Sequence, residues 1–230
     1  MQIKKSLTMI LAESALELVP HEIQKHSSVI KHALSKRKKV SDILLDRSYH
    51  HSAMLKLKNA YKRGRPDIVH FSLLEATSSP LYIKGFMKIY VHSLNDEIIE
   101  IKDLVRLPKT YFRFEGLMEK LFKERKITSP NNKTLLEIRK QSFKEFISEI
   151  DPSVVIGLSR LGERNSFEGV AKKLAEYDRP AFVVGGFPKG HFSKSIMSEL
   201  DKLYSCHELP LESHLVIARI IYEFEKQLKI

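Results

Sequence analysis

The sequence predicts an α/β fold in which a parallel sheet carries helices on both faces. Apolar, β-branched runs alternate with amphipathic helical segments after residue 151, which is the pattern of parallel α/β structure. Hydrophobic residues make up 43% of 230 positions, so the chain is long and apolar enough to bury a core. A glycine-rich segment at 185–190 joins a strand to a helix. We therefore predict one domain over residues 1–230, composed of a basic part (1–150) and a regular α/β part (151–230).

The first part has a less regular pattern of predicted elements. In chain order these are an apolar run at 7–11, a helix over 13–18 that stops at Pro20, a short strand at 43–45, a helix over 52–63 ended by Gly64, an apolar segment at 68–76, a hairpin of strands 86–92 and 97–101 around Asn95-Asp96, and helices over 110–123 and 134–150.

The second part alternates regularly. The predicted order is strand 154–158, helix 166–177, strand 181–184, helix 193–200, strand 202–206 and helix 211–228. The carboxyl ends of parallel strands share one edge of a sheet, and ligands bind at that edge. The last helix is apolar on more than one face, so we expect it to be buried or to pack against another subunit.

The positive charge is concentrated in the first part. The chain has a net charge of +11. Residues 31–65 hold eleven Lys or Arg and two Asp, a net of +9, whereas residues 151–230 hold eleven basic and eleven acidic side chains. Residues 102–126 hold eight basic and four acidic side chains, a net of +4. Such a distribution favours a polyanionic partner for the first part. The run Lys36–Lys39 fits a solvated loop equally well.

Several classes of protein are disfavoured. No run approaches the roughly 18 apolar residues of a membrane-spanning helix, so no membrane partner is expected. Residues 1–5 resemble a signal n-region, but the apolar run 7–12 is too short for secretion. Cys206 is the only cysteine, which excludes an intrachain disulfide and a cysteine zinc site and fits a reducing cytoplasm. His50 and His51 lack a third ligand at useful spacing, so we predict no metal site.

The segment Gly185-Gly186-Phe187-Pro188-Lys189-Gly190 is the first candidate binding loop. Its spacing matches neither the dinucleotide-binding fingerprint nor a Walker loop, which disfavours a metabolic Rossmann enzyme. Glycines allow main-chain groups to approach a flat ligand closely, although a plain strand-to-helix turn explains them as well. Two more predicted loops, 158–162 and 206–211, fall at the same edge of the sheet. Together the three loops predict a cofactor pocket.

Arg65 and Asp67 form a second candidate group. Pro66 disfavours helical backbone at Arg65, and alternate residues of an extended segment point to the same side. The carboxylate of Asp67 can then hold the guanidinium of Arg65 in one orientation. A surface ion pair with no role beyond its own modest stability is the alternative.

A third candidate group lies in Arg106-Leu107-Pro108-Lys109-Thr110-Tyr111-Phe112-Arg113-Phe114. The three cations are spaced by three and four residues, which places them on one side of a loop that enters a helix near Thr110. Cations interleaved with aromatic rings suit RNA, because the cations contact phosphates and the rings stack on unpaired bases. At least one of Phe112 and Phe114 is expected to be a core residue instead.

Four segments, taken in order, resemble the SPOUT-class small-subunit rRNA pseudouridine-N1-methyltransferases of ribosome biogenesis. They are Ile10–Pro20 (ILAESALELVP), Arg63–His70 (RGRPDIVH), Arg106–Phe114 (RLPKTYFRF) and Gly185–Gly190 (GGFPKG), with Asp46–His51 (DRSYHH) and Ser78–Pro80 (SSP) also fitting. The resemblance implies a SPOUT-like α/β fold with a C-terminal trefoil knot, and a homodimer. It also implies that residues 1–150 face rRNA and that residues 151–230 hold the cofactor.

The resemblance further implies S-adenosylmethionine as methyl donor. The implied cofactor-binding residues are Leu158, Ser159, Gly185, Gly190, Cys206, His207, Glu208, Leu209, Pro210 and Leu211. The implied RNA-binding residues are Arg65, Arg106, Lys109 and Arg113. At the position of Lys109 the family often has arginine, so the charge is kept and the bidentate fork is lost.

The implied reaction is attack by N1 of a pseudouridine on the sulfonium methyl group, in a hairpin of small-subunit rRNA. The resemblance implies that Asp67 orients Arg65. As the nearest carboxylate Asp67 is also a candidate base, although a carboxylate committed to a guanidinium is a poor one. Small-subunit ribosomal proteins are a further class of expected partner. The alternatives are an rRNA-binding assembly factor without catalysis and a SPOUT methyltransferase that acts on a different RNA base.

Overall fold

A mixed sheet of eight strands forms the centre of the computed structural model, which describes residues 6–230. Residues 1–5, with their resemblance to a signal n-region, lie outside the described part. The strands are β1 (Leu7–Ser14), β2 (Met87–Ser93), β3 (Glu97–Ile101), β4 (Lys126–Thr128), β5 (Thr134–Lys140), β6 (Val154–Arg164), β7 (Pro180–Gly185) and β8 (Lys202–Ser205). Their order across the sheet is β4-β5-β3-β2-β1-β7-β6-β8.

The parallel part of the sheet confirms the predicted fold class. Strands β2, β1, β7, β6 and β8 run parallel, and β1 lies between β2 and β7. The predicted hairpin is also confirmed, because β2 and β3 pair antiparallel around Asn95 and Asp96. Antiparallel pairing then continues through β5 and β4 at the opposite end. No helix formed by residues 6–230 has the length and apolar character needed to cross a bilayer.

Helices cover both faces of the sheet. They are α1 (Ser27–Ser35), α2 (Arg47–Met54), α3 (Pro66–Ser78), α4 (Pro80–Ile83), α5 (Tyr111–Glu124), α6 (Phe143–Ile150), α7 (Phe167–Ala175), α8 (Lys194–Met197) and α9 (Ser213–Leu228). Alternate residues of β1 divide between two core clusters: Met9 and Leu11 pack with α3, α5, α7 and α9, while Ile10 and Ala12 pack with α6 and α8. A strand buried on both faces is expected to be apolar throughout, as β1 is.

A smaller third cluster lies under α1 and α2, and each of these two helices also carries a buried histidine, His32 and His50. Asp46 N–H donates to His50 Nδ1 at 3.1 Å, so His50 Nε2 carries the hydrogen and donates to His32 Nδ1 at 2.9 Å. The His32 ring also stacks on Tyr49, with ring centres 3.9 Å apart. Burial lowers the pKa of His50 to about 4, and the nearby His32 adds to the shift. The pKa of His32 is lowered for the same main reason.

Two predicted elements in the first part are wrong. Residues 13–18 are not helical, because Glu13 ends β1 in a left-handed conformation (φ 50°) and the chain turns away from the sheet. Residues 134–150 are not one helix: Thr134–Lys140 pairs with β3 and β4, and α6 begins only after Ser142.

Two further boundaries differ. The predicted helix over 52–63 begins earlier, at Arg47 with Asp46 as its N-cap, and ends at Met54. The predicted strand 43–45 is reduced to a single bridge between Leu44 and Leu18. In the second part, residues 158–162 lie inside β6 and are therefore not a separate loop. The pairing of β6 with β8 is interrupted over this stretch, between Leu158 and Glu163.

Candidate active site

A cavity of about 470 Å³ opens at the carboxyl edge of the parallel strands. Its walls come from the end of β7 and the glycine segment after it, from the irregular part of β6, and from the residues that link β8 to α9. This is the edge at which α/β proteins bind ligands. The lining residues are Leu158, Ser159, Arg160, Phe167, Val184, Gly185, Phe187, Pro188, Lys189, Gly190, His191, Phe192, Tyr204, Ser205, Cys206, His207, Leu209, Pro210, Leu211, Ser213 and Val216.

The structure brings the predicted cofactor-binding residues together with one exception. Nine of the ten line this cavity. Glu208 does not: its exposed carboxylate instead accepts a hydrogen bond from Arg164 Nη2 at 2.9 Å. These residues come from three segments distant in sequence.

The glycine segment is held against the end of β1. Gly186 N–H donates to the carbonyl oxygen of Ala12, and Ala15 N–H donates to the carbonyl oxygen of Gly186, both at 2.8 Å. A Cβ atom on Gly186 would lie 2.9 Å from the Cα atom of Ser14 and 2.9 Å from Cγ of Leu11, which is closer than real Cβ contacts. The sequence therefore needs glycine here for close packing. This cradle leaves the other side of the segment free to face the cavity.

Several cavity residues lie outside the segments that the sequence predicted for the site. Ser213 opens α9, and its hydroxyl donates to the carbonyl oxygen of Gly185 at 2.6 Å. Phe167, Tyr204 and Val216 supply apolar wall. Their distance in sequence from the glycine segment left no local signal, since only the sheet order places α7 and α9 beside it. Burial raises the pKa of the Cys206 thiol to about 11, so the thiol is neutral and unreactive at neutral pH.

Arg65 and Asp67 form the predicted ion pair. Arg65 Nε donates to Asp67 Oδ1 at 2.8 Å, and Arg65 Nη2 donates to Asp67 Oδ2 at 2.7 Å. The pair lies at the start of α3 and not in an extended segment, because Pro66 is the first helical residue and Arg65 is the N-cap. The hydrogen bonds that Arg65 donates to Asp67 raise the pKa of Arg65, while burial acts in the opposite direction. Both side chains remain about one-third exposed.

The segment Arg106–Phe114 is fixed against α3 and α2. His70 Nε2 donates to the carbonyl oxygen of Pro108 at 2.9 Å, and its ring stacks on Phe114 with ring centres 4.4 Å apart. The Tyr111 hydroxyl donates to Asp46 Oδ2 at 2.7 Å. Burial, followed by this bond, raises the pKa of Tyr111. These contacts hold the segment without using any of its cations.

The three predicted cations of this segment are exposed. Arg106, Lys109 and Arg113 have no acidic partner among the residues that the structure describes. Phe114 is fully buried, which confirms that one of the two phenylalanines is a core residue, whereas Phe112 is 77% exposed. A flexible set of free cations beside an exposed ring is the arrangement that RNA phosphates and unpaired bases require.

Other basic residues are engaged inside the protein. Lys36 Nζ lies 2.6 Å from Glu119 and 2.8 Å from Glu115, and Lys38 also pairs with Glu119. Arg63 makes a bidentate pair with Glu17 at 2.7 and 2.6 Å. The run Lys36–Lys39 is therefore only partly a solvated loop. Within residues 6–230 no group of three or more His, Cys, Asp or Glu side chains is arranged to hold a metal ion.

The fold and the site define an α/β protein with a cofactor-sized cavity at the carboxyl edge of its parallel strands and a separate segment of exposed cations. The chain belongs to the EMG1/NEP1 methyltransferase family, whose model matches residues 9–225. This confirms the resemblance found in the sequence.

Named relatives match nearly the whole chain. The chain is 43% identical over 222 residues to the ribosomal RNA small subunit methyltransferase Nep1 of Thermococcus sibiricus, which covers 96% of this chain and 99% of the relative. It is 40% identical over 221 residues to the protein of the same name from Staphylothermus marinus, covering 96% of each. The crystal structure of Archaeoglobus fulgidus Nep1 bound to S-adenosylhomocysteine superposes with a TM-score of 0.87 at 36% identity, covering 98% of this chain and 100% of that one.

Proposed function

We propose that this protein transfers a methyl group from S-adenosylmethionine to N1 of a pseudouridine in small-subunit rRNA, during assembly of that subunit. The observation that carries the proposal is that one chain holds both a cavity fit for the cofactor and a separate set of free cations fit for RNA. Two relatives with nearly complete coverage are named as small-subunit rRNA methyltransferases. A structural relative at TM-score 0.87 has S-adenosylhomocysteine bound.

The cavity fits S-adenosylmethionine by shape and chemistry. The glycine segment presents main-chain groups, because its other side is packed so closely on Ser14 that a Cβ atom at Gly186 has no room. Leu158, Leu209 and Leu211 supply apolar wall for a flat ring, and Ser159 and Ser213 supply hydroxyl groups. We propose that these residues, with Gly185, Gly190, Cys206, His207 and Pro210, hold the cofactor. Glu208 stays a predicted contact through its main chain only.

When bound, the cofactor supplies a methyl group already activated by its sulfonium. The chain then has to align the nucleophile, which is the larger part of catalysis in such a transfer. Arg106, Lys109 and Arg113 bind phosphates of a hairpin loop, and Arg65, held by Asp67, presents its guanidinium in one orientation. The target base turns outward to reach the cavity.

Methyl transfer from labelled donor to a short rRNA hairpin tests the proposal. The same hairpin is made with pseudouridine and with uridine at the target position. Only the pseudouridine hairpin should be labelled, because uridine has a glycosidic bond at N1. Equal labelling of both would show that another base or atom is methylated. Hairpin binding without any labelling would support a non-catalytic assembly factor.

Asp67→Asn separates the two roles considered for Asp67. In the orienting role the loss of one charge loosens Arg65, so hairpin affinity should fall about threefold to tenfold, as for a partly exposed charged pair. The methyl-transfer rate at saturating hairpin should keep the wild-type pH profile. Loss of nearly all activity with unchanged hairpin affinity would assign the base role to Asp67 instead.

Further properties follow from the family resemblance and are part of the proposal. The chain acts as one domain with a trefoil knot in residues 151–230 and works in the cytoplasm as a homodimer, with small-subunit ribosomal proteins as an additional class of partner. Exposed apolar side chains on α3 and α9 support the dimer: Phe71 and Tyr222 are 53% and 61% exposed, and Phe71 lies 6.0 Å from the ring of His214. Light scattering should give twice the mass of one chain.

A further inference from the structure

Lys62 is a lysine buried beside the cofactor cavity. It ends the short 3₁₀ turn Ala60–Lys62 and is only 5% exposed. Its Nζ lies 2.7 Å from Glu13 Oε2, donates to the carbonyl oxygen of His191 at 2.5 Å and stands 4.4 Å from the ring centre of Phe187. A buried ammonium loses several kcal/mol of hydration unless such contacts replace it. Two of its three contacts belong to the wall of the cavity.

Glu13 is held from three directions. Its left-handed backbone (φ 50°) is uncommon for a residue other than glycine and persists only where its surroundings impose it. Its N–H donates to His92 Nδ1 at 3.2 Å. Its carboxylate takes Lys62 on one side and accepts from Ser193 N–H, at 3.2 and 3.3 Å to its two oxygens. The carboxylate therefore joins the end of β1 to the far end of the glycine segment.

The segment after Lys62 carries the RNA-facing arginine. Arg63 is bound in a bidentate pair to Glu17, and Arg65 N–H donates to the carbonyl oxygen of Ala15 at 3.3 Å. Residues 62–65 are thus fixed along one short stretch of chain, residues 13–17. That stretch also holds Gly186 through the hydrogen bond from Ala15 N–H. The ion pair between Lys62 and Glu13 is the place where charged side chains join the cavity wall to residues 62–65.

We propose that the buried Lys62–Glu13 pair is a positioning pair that couples the two ligand sites. It fixes residues 186–193 of the cavity wall relative to Arg65, so that each ligand favours the arrangement that the other ligand binds. Hydrogen-bond and ion-pair networks that have two arrangements carry such coupling, and the coupling is reciprocal. This inference rests on the proposed function, since it needs both a cofactor and an RNA ligand.

Calorimetry with S-adenosylhomocysteine, with and without a saturating pseudouridine hairpin, measures the coupling directly. In the wild type the hairpin should lower the Kd of S-adenosylhomocysteine by about tenfold, within the usual range for coupled sites. In Glu13→Gln/Lys62→Met this ratio should fall to near one. The double variant is preferred because removing one partner would leave the other charge buried and unpaired.

The structure offers a matched control. Lys36 forms another largely buried ion-pair cluster, 2.6 Å from Glu119 and 2.8 Å from Glu115, at α5 and outside the lining of the cavity. Lys36→Met/Glu115→Gln/Glu119→Gln removes these buried charges together, leaves only the partly exposed Lys38 without Glu119, and should lower the midpoint of thermal unfolding while it keeps the tenfold ratio. Lys62→Arg retains a cation that can reach Glu13 and should keep at least half of the coupling. If Lys62 had a purely structural role, the ratio of Kd values would change to the same extent in the Lys62–Glu13 variant and in the control.

Several outcomes would overturn the inference. A wild type that binds both ligands with a ratio of one has no coupling to explain, and an unchanged ratio in Glu13→Gln/Lys62→Met places the coupling elsewhere. If that variant does not fold, hydrogen exchange in the wild type gives the answer: hairpin binding should slow exchange in residues 186–193, and an unaffected exchange rate contradicts the coupling. Failure of the wild type to methylate any hairpin would instead refute the proposed function.

Discussion

The basic segment Arg106–Phe114 and the cavity at the carboxyl edge of the sheet differ in the chemical groups that they expose. The segment Arg106–Phe114 presents long, exposed cations, while its fixed points are a histidine, a tyrosine and a buried phenylalanine. The cavity is walled by main chain, leucines and aromatic rings, in a region whose eleven acidic side chains balance its eleven basic ones. Mobile cations suit a long polyanion that is contacted at many points. A rigid wall suits one small ligand that is selected by shape.

Only part of the positive charge in residues 1–150 is available to bind RNA phosphates. Lys36, Lys38, Lys62 and Arg63 all pair with buried or half-buried carboxylates and stabilise the first part from within. Arg106, Lys109 and Arg113 remain free in the described part of the chain. Net charge along the sequence therefore overstates the number of cations that are available for contact with RNA.

Gly186→Ala should have the largest effect on the cavity. The new methyl group would overlap with Ser14 Oγ and lie 2.9 Å from Leu11 Cγ, so the glycine segment must shift. Overpacking of this kind costs about 1–3 kcal/mol of folding stability. If the segment relieves this strain by leaving its ligand-binding position, binding of S-adenosylhomocysteine has to restore that position and should weaken by up to the same free energy, about 5- to 150-fold in calorimetry. Gly116→Ala in α5 is the control, because its Cβ has no atom within 4 Å, and it should leave this affinity unchanged. Equal losses in both variants would contradict the rigid-wall interpretation.

Mild acid should destabilise the first part through its buried histidine pair. The pKa of His50 is about 4 in the folded chain and 6.5 in the unfolded chain. Between these two pH values His50 is protonated in the unfolded chain and neutral in the folded chain, so the unfolded chain is favoured as the pH falls. Stability is complete above pH 6.5 and is lost as pH falls toward 4. At pH 5 the loss from His50 is about 2 kcal/mol in urea unfolding.

His50→Gln serves as the control for the acid effect. Glutamine can accept the Asp46 N–H bond and donate to His32, and it does not titrate. The loss of stability between pH 7.5 and pH 5 should therefore be about 2 kcal/mol smaller in this variant. An identical pH dependence in both proteins would remove the histidine pair as its cause.

Arg113→Ala should weaken RNA binding and leave cofactor binding nearly unchanged. Loss of one free cation removes about one phosphate contact, so the slope of log affinity against log salt should decrease by about 0.7 to 0.9, with a loss of affinity of about tenfold. S-adenosylhomocysteine binding should stay within twofold. Arg179→Ala is the control: Arg179 pairs with Asp151 near the start of β7, at the opposite edge of the sheet, and should change neither measurement. Loss of cofactor affinity in Arg113→Ala would show that the basic segment also contributes to cofactor binding, which contradicts the separation of the two sites.

Features that depend on local sequence were predictable. The hairpin β2–β3, the strands β6 and β7, and helix α7 with Ser166 as N-cap all follow from periodicity and turn or cap residues. The prediction of one helix over 134–150 missed a local signal for the start of α6, because Ser142 and Glu145 form a capping box.

Features that depend on distant contacts were not predictable. Glu13 leaves β1 in a left-handed conformation because Lys62, His92 and Ser193 hold it there. Strand β5 forms because β3 and β4 pair with it from both sides. The same limit applies to the site: the aromatic wall and the Lys62–Glu13 pair exist only once the sheet has brought remote segments together.

The central position of β1 has a consequence for how the chain reaches its native state. Thr8 pairs with Ala181, which lies far away in the sequence. Helix α9 follows both α3 and α7 in the chain and packs against them. Contacts between such distant residues slow folding, and the exposed edges of unfinished sheets favour aggregation. We therefore expect refolding in seconds or longer, and a sheet that stays incomplete in the nascent chain until β7 and α9 have been made.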